Sequence, residues 1–156
     1  MTDIVDAPTR SRMMAGIRGK NTRPELALRS ALHRLGFRFR LHRKDLPGRP
    51  DIVLPARRVV VFVHGCFWHR HAGCRYCTVP ATRPEFWASK FAANVERDRR
   101  NEDALAASGW RVAVVWECAL RGDGVSDAAA RLAIWIRNAG TDRLEIGGPP
   151  VDTPAA

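Results

Sequence analysis

The chain has 156 residues, 46% hydrophobic and 27% charged, which is the composition of an ordinary soluble domain with a single core. No apolar run is long enough to span a bilayer and the polar start does not read as a secretory signal, so no membrane partner is expected and the simplest address is the cytoplasm. Basic charge is uneven, with a net +8 over residues 1–50, +5 over 51–100 and −3 over 101–156, and this points to a polyanionic partner for the first two thirds.

Residues 1–20 are polar and basic, with Met13, Met14 and Ile17 as apolar points, and read as an arm or short helix. Thr22, Pro24 and Glu25 form a capping-box pattern opening an amphipathic helix to about Gly36, with Leu28, Ala31, Leu32 and Leu35 inward. Phe37, Phe39 and Leu41 alternate with polar residues as a half-buried strand, and the Leu46–Pro50 segment is a turn. A strand at 51–54 and an apolar one at 58–63 form a hairpin in mid-sheet. A loop rich in Cys, His and Gly runs from His64 to Pro80. Thr82, Pro84 and Glu85 repeat the capping pattern before a long helix to about Ala107, ended by Gly109. A buried strand follows at 111–116, then a helix from about Ser126 to Arg137. The reading is an α/β domain over 21–140, a mixed sheet flanked by helices, between the arm at 1–20 and a loose Pro/Gly-rich tail at 141–156.

Four features carry chemistry. Asp51 and His64 end adjacent strands, and phosphodiester cleavage uses such a pair: a carboxylate to anchor Mg²⁺ and a neutral imidazole to take a proton. Cys66, His71, Cys74, Cys77 and Cys118 offer five ligands for a four-coordinate Zn²⁺, leaving Cys77 and Cys118 as alternatives for the last position. Phe67 and Trp68 lie between His64 and His69, with Phe86 and Trp87 further on; aromatics on a basic surface stack on bases or wedge between them, or else cover the underside of the loop. Lys90, Asn94, Arg97 and Asn101 share a helix face that can meet phosphates and base edges, or stand solvated in ion pairs with neighbours such as Asp98.

The runs LPGRPDIVLPARRVVVFVHGCFWHRHAGC, PATRPEFWASKFAANVERDRR and GWRVAVVWECAL resemble the very short patch repair endonucleases, from about Thr9 to Leu120. The resemblance implies a restriction-endonuclease-like fold with a zinc-stabilised loop. It implies Mg²⁺-dependent nicking of one strand, 5′ to the T of a T·G mismatch left by deamination of 5-methylcytosine. By the same resemblance, Asp51 and the backbone carbonyl of Val63 hold Mg²⁺ and Glu25 orders the metal's water shell. His69 is the general base and His64 assists at the phosphate. The zinc ligands become Cys66, His71, Cys74 and Cys118, with Cys77 left without a role. Phe67, Trp68 and Trp87 become wedges, and Met14 and Ile17 approach from the opposite groove. Some members carry Thr where this chain has Val63, which removes a hydroxyl and keeps the carbonyl. The loop between His71 and Cys74 is also one residue longer than in some members. The expected partner is duplex DNA with a T·G mismatch, bound by a monomer near the nucleoid, with mismatch-repair proteins as further partners. The competing readings are a restriction-type nuclease cutting both strands, a zinc-stabilised DNA-binding module without chemistry, and an RNA nuclease.

Overall fold

The computed structural model describes residues 21–138 and 140–147. The proposed arm at 1–20, with Met14 and Ile17, lies outside them. Five strands form one mixed sheet: β1 (Arg40–Leu41), β2 (Ile52–Leu54), β3 (Val59–His64), β4 (Arg111–Trp116) and β5 (Arg143–Ile146), side by side in chain order. The first three pair antiparallel and the last three parallel. The parallel pairs are joined by α2 (Pro84–Ala107) and α3 (Gly124–Arg137), while α1 (Arg23–Arg34) precedes the sheet. The expected mid-sheet hairpin is β2–β3, turned through a short 3-10 segment at Pro55–Arg57.

The period of two along β3 divides the core. Val59 and Val61 face α1 and α3, packing with Leu28, Leu32, Leu132 and Ile136. Val60 and Phe62 face the other way, with Leu105 of α2, Trp110 and Trp116. Because side chains alternate strictly, this register also sends His64 to the α2 face. Trp110, Trp116 and Trp135 are buried.

The capping box at α1 forms. Thr22 Oγ1 accepts the Glu25 N–H at 3.4 Å, and Glu25 reaches back to the Asn21 N–H at 3.3 Å. Its repeat before α2 does not. Arg83 takes the cap position with φ +53° and no side-chain cap bond, and its guanidinium lies 4.6 Å from the Phe86 ring. The same Thr-Arg-Pro-Glu order thus caps α1 through Thr22 and leaves Thr82 outside α2, a difference the local sequence does not explain.

Three other expectations need correction. Leu35 is 41% exposed, because α1 stops at Arg34 and the chain turns outward there; buried Phe37 takes the inward place. The strand expected at 37–42 is two residues long, with Phe39 packed against the core and Leu41 exposed. The tail expected to be loose supplies β5, so the sheet extends past residue 140. Edge strand β5 pairs parallel to β4 and buries Ile146. Its four residues, Arg143-Leu144-Glu145-Ile146, alternate charged and apolar, a period of two confined to a stretch too short to stand without the edge that β4 offers.

Candidate active site

A cleft of about 540 Å³ opens between the ends of β2 and β3, the turn before Asp51, and α2. The turn comes close because Gly48 has no side chain: a Cβ there would sit 3.0 Å from Asn101 and 3.1 Å from Phe62, at a φ of +76° that L residues rarely adopt. Two groups of ionisable side chains meet at this cleft.

The first group is Glu25, His42 and Asp51, whose donor atoms all lie within 4.8 Å of one another. Glu25 is fully buried on the first turn of α1, and its Oε2 receives Arg29 at 2.8 Å and contacts His42 Nε2 at 2.9 Å. Asp51 Oδ2 accepts the Val63 N–H at 2.7 Å. Burial, reinforced by the charge of Glu25, pushes the Asp51 carboxyl up to about 8, against the lowering effect of the Val63 bond. Two carboxylates this close are a donor set that suits a hard divalent cation. Of this group Asp51 lines the cleft, which Asp98 and Glu102 line as well.

The second group is His64, His69 and Asp98. The two imidazoles stack with centroids 3.9 Å apart and planes within 5°. His69 Nδ1 meets Asp98 Oδ2 at 2.6 Å. Burial, and next the charge of His69, pull His64 down to about 3, so it stays neutral at physiological pH. With Nδ1 donating to a carboxylate, His69 presents Nε2 as the acceptor for a proton. Asp98 was assigned to surface ion pairs by sequence alone. The signal was available in its helical spacing of four from Asn94, which places both on one face of α2.

Below the histidines, Cys66, His71, Cys74 and Cys118 bring their donors within 4.8 Å, and Cys77 is not part of the group. His71 Nδ1 lies 3.4 Å from Cys118 Sγ and 3.7 Å from Cys66 Sγ. Burial pushes the Cys66 thiol up. Three thiols and one imidazole suit a tetrahedral zinc ion. Glu117 anchors the loop by accepting the Cys66 N–H at 3.1 Å. His71 stacks on Trp116 at 4.3 Å, and Trp116 meets His64 edge-on at 5.3 Å, so the cysteine cluster and the histidine pair share one wall.

Phe67 and Trp87 pack on buried Phe91, and Trp68 joins the cluster through both of them. Its members from the loop and α2 are half-buried, and Phe86 at its edge is 46% exposed. Asn94 Nδ2 donates to the Trp68 carbonyl at 3.3 Å and so ties the loop to α2; Arg97 in turn reaches Asn94 at 3.2 Å. Lys90 is exposed one turn before Asn94.

A family model described as DNA mismatch endonuclease Vsr matches residues 2–75. The chain is 58% identical to the type II nicking enzyme V.XorIIP of Xanthomonas oryzae over 131 residues, 84% of this chain and 96% of that protein. It is 50% identical to the DNA mismatch endonuclease Vsr of Escherichia coli over 139 residues, 87% of this chain and 88% of the relative. It is 43% identical to the type II nicking enzyme V.NmeAIP of Neisseria meningitidis over 125 residues, 80% and 89% of the two. With near-complete coverage at this identity, the chain belongs to the DNA mismatch endonuclease Vsr family.

Proposed function

We propose that the protein nicks one strand of duplex DNA on the 5′ side of the T in a T·G mismatch, with Mg²⁺ at Asp51 and a structural Zn²⁺ on the cysteine cluster. The observation that carries this reading is one cleft lined by Asp51, which has Glu25 beside it, and by an imidazole held by a carboxylate. Asp51 and the Val63 carbonyl would hold the cation, with Glu25 beside them. When bound, that ion polarises the scissile phosphate and stabilises the leaving oxygen. His69, oriented by Asp98, accepts the proton of the attacking water at Nε2. His64, stacked beneath it and neutral, fixes the plane of His69 and faces the phosphate. Arg49 and Arg97, which line the cleft, offset phosphate charge.

Cys66, His71, Cys74 and Cys118 would hold zinc and set the loop that carries Phe67, Trp68 and His69. Phe67, Trp68 and Trp87 would enter the base stack, where a mismatched pair unstacks at lower cost than a matched one. Lys90 and Asn94 flank them toward the DNA, and the arm at 1–20 with Met14 and Ile17 adds a contact from the other groove. One active site per chain on a monomer gives a nick rather than a double-strand break. Such an enzyme works in the cytoplasm at the nucleoid, beside mismatch-repair proteins; among the described residues no helix is long and apolar enough to cross a membrane.

The test is cleavage of labelled duplexes carrying T·G, T·A or C·G at one position, with Mg²⁺ and with chelator, alongside a supercoiled plasmid bearing T·G. Mg²⁺-dependent cleavage of one strand of the T·G duplex, and open circles from the plasmid, are expected. Linear plasmid, or equal cleavage of all three duplexes, would refute the reading.

A further inference from the structure

His42 has no place in the reaction described above, yet its side chain points into the carboxylate pair. Its Nε2 lies 2.9 Å from Glu25 Oε2, and its donor atom is within 4.8 Å of those of both Glu25 and Asp51. The backbone makes an unusual conformation to put it there. His42 leaves β1 with φ +49°, a left-handed value costing about 1 kcal/mol or more for a residue with a Cβ. Its N–H is bonded to the Asp51 carbonyl at 3.3 Å, which locks the two residues side by side. Strain of this kind persists where surrounding contacts over-determine it, and it concentrates at ligand sites.

We propose that His42 is a third protein ligand of the catalytic cation, adding a nitrogen donor to the oxygens of Asp51 and the neighbouring Glu25, so that this chain takes Mn²⁺ in preference to Mg²⁺. The inference rests on the reading that Asp51 holds a cation. Mg²⁺ prefers oxygen donors and keeps its water, whereas imidazole raises affinity for first-row transition ions. Glu25 Oε2 keeps Arg29 as a partner when His42 turns to the metal, so the exchange strands no buried charge.

The experiment is calorimetric titration of zinc-loaded protein with Mn²⁺ and with Mg²⁺, and pulsed EPR of the Mn²⁺ complex made with ¹⁵N-histidine and with ordinary histidine. Wild type should show histidine nitrogen coupling to Mn²⁺. H42Q and H42N should lose that coupling and bind Mn²⁺ about tenfold or more weaker, the scale on which metal-site partners act, with Mg²⁺ affinity changed far less. Absence of histidine coupling in the wild type overturns the proposal whether or not the variants fold. Coupling or Mn²⁺ preference that survives in folded H42Q overturns it as well. Asp51→Asn separates the two readings. If D51N abolishes Mn²⁺ binding while the wild type shows no nitrogen coupling, Asp51 holds the ion and His42 only braces Glu25. If D51N binds Mn²⁺ normally, the cation site itself is misassigned and the proposal falls with it.

Discussion

Asp51 and His64 are both buried where a charge is costly, and each responds as its chemistry dictates. The Asp51 carboxyl is pushed up to about 8 and the His64 imidazole down to about 3. Asp51→Ala should abolish Mg²⁺-dependent nicking while leaving mismatched duplex bound, because it removes the cation's anchor together with a negative charge facing phosphate. Near-normal cleavage by this variant, in a single-turnover assay, would remove Asp51 from the mechanism. His64 makes a prediction about pH. Its folded value lies below the ordinary 6.5, so the unfolded chain binds the extra proton. Its contribution to stability is complete above pH 6.5 and declines as pH falls toward 3. Between pH 6.5 and 5 the loss should be about 2 kcal/mol from this residue. His64→Gln should show a shallower decline in urea-unfolding free energy over that interval, and parallel curves for the two proteins would show that His64 is not buried neutral.

The loop between β3 and α2 owes its shape to side chains rather than to regular backbone pairing. Cys118 enters from just beyond β4, 41 residues after Cys77, and closes the group that Cys66, His71 and Cys74 begin. Cys118→Ser should lose zinc and melt at lower temperature, since a structural site contributes folding free energy directly. Cys77→Ser should keep its zinc, and metal analysis of the two variants decides between the ligand sets. The same loop presents Trp68, whose ring packs on Phe67 and Trp87 and whose carbonyl is held by Asn94. Trp68→Ala should weaken T·G duplex binding far more than matched duplex binding, because inserting a ring costs about a few kcal/mol per step and less at a distorted pair. The comparison is valid when zinc content is unchanged. Equal weakening of both duplexes would make Trp68 a packing residue.

Over the whole molecule, basic charge and chemistry occupy the same side of the sequence. The cleft draws Arg49 from the turn before β2 and Arg97 from α2, while the acidic last third closes on itself through pairs such as Arg143 with Asp103 at 2.6 Å. Binding to matched DNA should therefore weaken with salt through phosphate contacts. Arg97→Ala should lower the slope of log K against log salt by about one, whereas Trp68→Ala should leave the slope unchanged. A salt slope insensitive to Arg97→Ala would place the DNA track elsewhere.

Local periodicity was sufficient for much of this architecture. The hairpin, the buried strand β4, both long helices and the Thr22 cap were legible because each depends on near neighbours in sequence. The alternation of β3 implied that Val59 and Val61 face opposite to Val60 and Phe62. The parts that escaped were those built by distant partners. β5 carries a period of two over only four residues, too few to stand without the edge that β4 offers. Arg83 replaces Thr82 as the cap although Thr82 to Glu85 repeat the order that caps α1. Asp98 reads as a surface ion-pair residue until the fold carries His69 to within 2.6 Å of it. Cys77 and Cys118 are equal candidates by composition, and only the parallel packing of β3 against β4, which sets His64 opposite Trp116, carries the segment after Trp116 beneath the loop and brings Cys118 rather than Cys77 to the other three donors. Sequence determined which residue types were available and how each short stretch would fold; the crossover through α2 decided which of them meet, because contact between residues tens of positions apart depends on how the layers pack.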